Sequence, residues 1–174
     1  MSTLYAITLH QVERVTQLCD FLEHQDLAEA DISVPVRMPN DILSFDTGLS
    51  IGFALVGLWS ALDAYAERAG VLNVNCPICG RGGCLAARFK NAGRLAPAAE
   101  ASLQEIEDLR HLFAHNFAGR ADKSYFAKKR HVLKSKVVTQ LASGAAFDGA
   151  SVVLTAQHLR YYAARSREAL KCLG

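Results

Sequence analysis

At 174 residues, 51% of them hydrophobic and 21% charged, the chain has the length and composition of one globular domain with a sizeable core. No apolar run reaches the roughly 18 residues of a membrane span; Leu49 to Ala66 comes nearest, and Ser50, Ser60 and Asp63 interrupt it. The net charge is only +2, and no basic region followed by an apolar stretch and a cleavage site opens the chain, so the expected location is the cytoplasm, with no membrane association.

Residues 4–30 read as one or two helices, because Val12, Val15, Leu18, Cys19 and Leu22 follow the three-and-four spacing of an apolar face. From Asp31 to Phe45 the helical period is lost and Pro35 and Pro39 intervene, which predicts a loop or extended stretch. Asp46 or Thr47 can cap the next helix and Gly70 can end it. Between them Ile51, Leu55, Leu58, Leu62 and Tyr65 form a core-facing stripe about four turns long. After a cysteine-bearing loop, residues 84–92 predict a short helix. Pro97 then suits the first turn of another, expected to run to about Phe117 and to stop at Gly119. His131–Val138 and Ala150–Thr155 are β-prone runs separated by Ser143-Gly144 and Asp148-Gly149, which predicts a small hairpin. A final helix is expected over about 156–172.

The charge is unevenly placed. Residues 1–50 carry eight acids against Arg14 and Arg37, a local charge of −6. Residues 81–174 carry sixteen Lys or Arg against seven acids, a local charge of +9. Such asymmetry fits a polyanionic partner or a complementary second subunit, and it also fits solvated helix faces. The run from Arg120 to Lys136 includes Lys123, Lys128, Lys129 and Arg130, with Tyr125 and Phe126 interleaved. Basic groups attract a phosphate backbone and aromatic rings can stack on single-stranded bases, so these residues are candidate RNA contacts; a solvated loop with core-anchoring aromatics is the alternative.

The segment Glu105-Ile-Glu-Asp-Leu-Arg110-His111-Leu-Phe-Ala-His115-Asn116-Phe117 carries the clearest chemistry. Leu103, Ile106, Phe113 and Phe117 define an apolar seam, and Arg110 falls within it. A guanidinium does not give up its proton and is costly to bury unpaired, so this break in the pattern marks a functional group or a specific ion pair. Asp108, His111 and His115 share an adjacent polar face, with Glu107 within a turn of both Arg110 and His111. Imidazole exchanges a proton near neutral pH and guanidinium holds a phosphate by paired hydrogen bonds; metal-free RNA cleavage needs these two tools. Glu107, His111 and His115 at successive turns are also a conceivable metal set, although the third ligand drifts round the helix.

Arg110-His111-Leu112-Phe113-Ala114-His115 resembles the Rx4H signature of the HEPN family, and Trp59-Ser-Ala-Leu-Asp63-Ala-Tyr65 is similar to the helix preceding the motif in those domains. The resemblance covers about residues 47–120. It implies a mainly α fold, an antiparallel helical bundle that dimerises with the motifs of two subunits facing each other across a cleft. It also implies a metal-independent endoribonuclease, or a non-catalytic module binding RNA or protein, in a toxin, stress or phage-defence setting with an antitoxin or other partner. By resemblance His115 is the general acid or base, Arg110 stabilises phosphate charge, and His111 orients or assists. A toxin subgroup has Tyr where this chain has Phe117.

Five cysteines, odd in number and unevenly spaced, do not suggest a disulfide framework. Cys76-Pro-Ile-Cys79 resembles half of a zinc knuckle and Cys84 could add a third thiolate, but no second pair follows nearby. A structural zinc at Cys76, Cys79 and Cys84 is therefore one expectation and a buried or reactive thiol cluster another. The combined expectation is a single domain over 1–174, with its core at about 47–120, a basic segment and hairpin at about 120–155, and a last helix.

Overall fold

The structure is a computed structural model, and it describes residues 3–24, 29–31, 42–75, 82–116, 140–145 and 153–173. Helix α1 spans Thr3–His24, α2 Ile42–Arg68, α3 Leu85–Ala92, α4 Pro97–Asn116 and α5 Ala156–Lys171; two short strands, β1 (Glu29–Asp31) and β2 (Val153–Thr155), complete the described elements. The fold is mainly helical, as expected.

The apolar spacing marks the buried faces of the helices, and end signals mark several of their termini. The stripe Ile51, Leu55, Leu58, Leu62 and Tyr65 is buried along α2. That helix begins upstream of the expected cap and ends in a Schellman turn. Gly70 has φ of 70°, its N–H donates to Glu67 O, and the Val71 N–H donates to Ala66 O at 2.9 Å. Pro97 opens α4 as its missing N–H allows. Thr155 caps α5 with its hydroxyl and receives a reciprocal contact from His158, whose Nδ1 accepts the Thr155 N–H at 3.0 Å.

Helix α2 packs against α1, α3, α4 and α5. Helix α4 packs against α2, α3 and α5, and every residue whose burial is described from Ala99 to Phe113 is buried or half-buried. Helix α1 closes the other side, on α5 and α2. There Arg160 bridges Asp20 at 2.7 Å and Glu23 at 2.6 Å. One cluster of buried side chains runs from Tyr5 to Leu170, so the core draws on α1 and α5 as well as on residues 47–120.

The described strand pairing was not among the expectations. Val153–Thr155 is extended, but its described partner is Glu29–Asp31, antiparallel with Ala30 opposite Leu154. Residues 131–138, the other expected hairpin strand, lie outside the described residues. The strand pair therefore links the loop after α1 to the entry of α5, a long-range pairing that local turn signals do not announce.

Candidate functional site

Three faces of α4 have distinct neighbours. Leu103, Ile106, Arg110 and Phe113 follow one line toward α2. On that line the Phe113 ring lies against Gly52, where a Cβ would come within 1.8 Å of it, and meets Phe53 edge-on at 5.7 Å. Glycine at this position lets the two helices approach closely. One turn back from Phe113, the Arg110 guanidinium lies over the Trp59 ring, 3.8 Å from its centroid. Arg110 is half-buried, and among the described residues no carboxylate pairs with it.

Among the described residues its one polar contact is His111 Nδ1, 3.4 Å from Nη1. Arginine only donates, so this contact requires Nδ1 to be the unprotonated, accepting nitrogen. The carboxylates nearby serve other groups. Asp63 Oδ1 holds Arg88 Nη1 at 2.7 Å, linking α2 to α3, and Glu107 Oε2 accepts the Leu85 N–H at 3.0 Å at the start of α3. The latter places a carboxylate where the orphan donors of a helix N-terminus need one.

The α5 face is closed. Glu105, only 3% exposed, accepts the Ala142 N–H at 2.8 Å through Oε1 and the Tyr162 hydroxyl at 3.0 Å through Oε2. The Tyr162 oxygen also lies 2.9 Å from Ser143 Oγ. Since an ionised carboxylate can only accept, the single Tyr162 proton goes to Glu105 and the serine hydroxyl donates in turn. Burial first, and the Glu105 charge second, push the Tyr162 hydroxyl well above its usual pKa of 10.

His115 lies in α4, and its side chain is outside the described residues. Its backbone position shares a face with Asp108, which is buried, and with His111. Five residues of an α-helix turn through about 140° net, so Arg110 and His115 stand on different faces of one α4. Thus Arg110 and His111 are brought together, and the backbone of α4 carries Arg110 and His115 at well-separated angles around the helix. Lys123, Lys128, Lys129 and Arg130 lie outside the described residues, as do Cys76 and Cys79. Cys84 is buried at the N-cap of α3. Among the described residues no group of three His, Cys, Asp or Glu side chains forms a metal-binding cluster.

Two contributors were not singled out from the sequence. Trp59 enters the sequence pattern only as part of the similar helix, and Arg88 belongs to no motif. Arg88 sits between buried Leu85 and Phe89, the same break of an apolar pattern that drew notice to Arg110. Among the described residues no helix is long and apolar enough to cross a membrane. No family model, curated protein or solved structure matches the chain.

Proposed function

We propose that the chain is a metal-independent endoribonuclease of the HEPN type, acting as a homodimer. The observation that carries this reading is Arg110: a half-buried guanidinium, set in an apolar seam, with no carboxylate partner among the described residues and an imidazole at its side. Removing a cation from water without neutralising it leaves a seat that favours an incoming anion, and a guanidinium edge matches two phosphate oxygens.

In RNA that anion is the phosphodiester. His115 takes the proton of the ribose 2′-hydroxyl, whose oxygen attacks the adjacent phosphorus; the P–O5′ bond breaks, the 5′-oxygen receives that proton from the imidazolium, and a cyclic phosphate end remains. Arg110 stabilises the charge that builds on the phosphate oxygens, and His111 orients the guanidinium or the substrate. The angular separation of Arg110 and His115 on α4 fits a cleft shared by two subunits, as the HEPN resemblance implies. Lys123, Lys128, Lys129 and Arg130 guide the RNA, and zinc at Cys76, Cys79 and Cys84 pins a loop. A toxin, stress or phage-defence role, with an antitoxin as partner in the cytoplasm, belongs to the same reading.

The same separation favours a second reading, a non-catalytic RNA-binding module in which Arg110 binds phosphate and His115 has no reacting partner. The two are distinguished by incubating single-stranded and structured RNA in EDTA with wild type, Arg110→Ala and His115→Ala. Cyclic phosphate ends from wild type, absent with both variants, are expected for the ribonuclease. RNA that is bound but left intact by wild type would establish the module instead.

A further inference from the structure

The lack of a counter-carboxylate at Arg110 needs a cause, because carboxylates are close by in sequence. Asp63 stands one turn from Trp59 on α2, and Glu107 one turn before Arg110 on α4. Side chains one turn apart have Cβ atoms within about 6 Å of each other. A carboxylate free to reach the guanidinium would take its paired N–H edge and leave no seat for another anion.

Both carboxylates are engaged elsewhere. Glu107 accepts the first N–H of α3, and Asp63 is held by Arg88 at 2.7 Å. Arg88 is itself only 8% exposed, so it is placed for Asp63 and not for a solvent-borne polyanion. What faces Arg110 is the Trp59 ring at 3.8 Å. A π face attracts the cation electrostatically while leaving the in-plane N–H groups unused. Trp59 therefore holds the guanidinium in a way that a carboxylate would not, fixing its plane and keeping its edge available.

We infer that Trp59 and Arg88 are positioning residues for one RNA phosphate at Arg110: Trp59 holds the guanidinium by its face, and Arg88 keeps the Asp63 carboxylate off its edge. This deepens the proposed function and rests on its assignment of Arg110 to phosphate. It gives an ion pair that touches no substrate a role in binding one.

The test is fluorescence anisotropy of a labelled single-stranded 2′-O-methyl oligoribonucleotide, which lacks the attacking hydroxyl and so reports binding without cleavage. Trp59→Leu is expected to weaken binding roughly three- to tenfold, the scale of a partly desolvated cation–π contact, with Trp59→Phe within roughly twofold of wild type. Arg88→Met should weaken binding to a similar extent by releasing Asp63, and Arg88→Met combined with Asp63→Asn should restore it. Trp59 is the only tryptophan, so saturation of wild type with the oligonucleotide should also change the intrinsic emission, whatever the folding of the variants.

Wild-type binding affinity in a folded Trp59→Leu, a double variant no better than Arg88→Met, or an emission unchanged at saturation would each overturn the inference. So would a wild type that binds no oligonucleotide. Unmodified RNA separates the two proposals. The expected binding pattern without cleavage removes the ribonuclease reading alone, and cleavage by wild type with binding indifferent to Trp59 and Arg88 removes this inference alone.

Discussion

Glu105 and Arg110 both project from α4 into the protein, yet their surroundings are opposite. Glu105 meets Ala142, Tyr162 and, through the tyrosine, Ser143, so its charge is answered by donors from two other segments. Arg110 is answered by a ring face and a long contact to His111, with no opposite charge among the described residues. A buried charge that serves the fold is enclosed by matched groups, since each unmatched one carries a desolvation penalty. On the proposed function, the charge left unmatched at Arg110 takes its partner from outside, as a phosphate.

The largest expected effects separate these roles. If the chain is the proposed ribonuclease, Arg110→Ala should lower RNA cleavage by about 100-fold or more, on the scale of removing one transition-state donor, while changing folding stability by no more than roughly 1 kcal/mol. Glu105→Ala should do the reverse. It strands a buried N–H and a buried hydroxyl, a loss of roughly 2–4 kcal/mol by denaturant unfolding. Equal stability loss in both variants would erase the distinction between the two sites.

Gly52 sharpens the α2 side of the comparison. A methyl there would meet Phe113 Cε2 at 1.8 Å, so Gly52→Ala must push the ring or separate the helices. Overpacking of this kind costs about 1–3 kcal/mol, and Phe113→Leu in the same chain should recover part of it in thermal unfolding. Because Phe113 lies one turn from Arg110, the displaced helix should also weaken oligonucleotide binding. A stability loss with unchanged binding would show that the Arg110 seat does not depend on this close approach.

Tyr162 tests the closed side by pH. Its folded-state pKa lies well above 10 because burial and Glu105 disfavour the phenolate. A group whose pKa is raised on folding contributes its stability fully below the unfolded value and loses it as pH climbs toward the folded one. The denaturation midpoint should therefore fall as pH rises above about 10, and less steeply in Tyr162→Phe at matched pH. Identical slopes would mean that another group governs alkaline unfolding.

What could be read from the sequence was local. Gly70 and Pro97 marked helix ends, the stripe from Ile51 to Tyr65 marked a buried face, and Arg110 showed itself by occupying an apolar position. What could not be read was the partnership of residues far apart in the chain. Arg88 breaks the pattern of α3 just as Arg110 breaks that of α4, but nothing nearby in sequence names Asp63 as its partner. Glu105 and Tyr162 are 57 residues apart, and each alone resembles an ordinary polar or aromatic helix position. The strand pairing follows the same rule, with the other expected hairpin strand, 131–138, outside the described residues. β-propensity identified the extended residues 153–155, while the described pairing to 29–31 depends on how α1 and α5 pack.

The smallest effect concerns the joint between that strand pair and α5. Thr155 ends β2 and caps α5, and His158 occupies the place that Glu or Gln usually takes in a capping box. Its Nδ1 accepts the Thr155 N–H, so the ring acts as a neutral acceptor. His158→Ala should lower stability by about 1 kcal/mol, the usual scale for a lost cap contact, and His158→Gln should keep most of it because an amide oxygen can make the same bond. Cleavage by either variant should match wild type, since α5 faces Glu105 and not Arg110. A loss of cleavage in His158→Ala without a loss of stability would mean that the closed and open sides of α4 are coupled through α5, and the division of labour drawn from Glu105 and Arg110 would have to be abandoned.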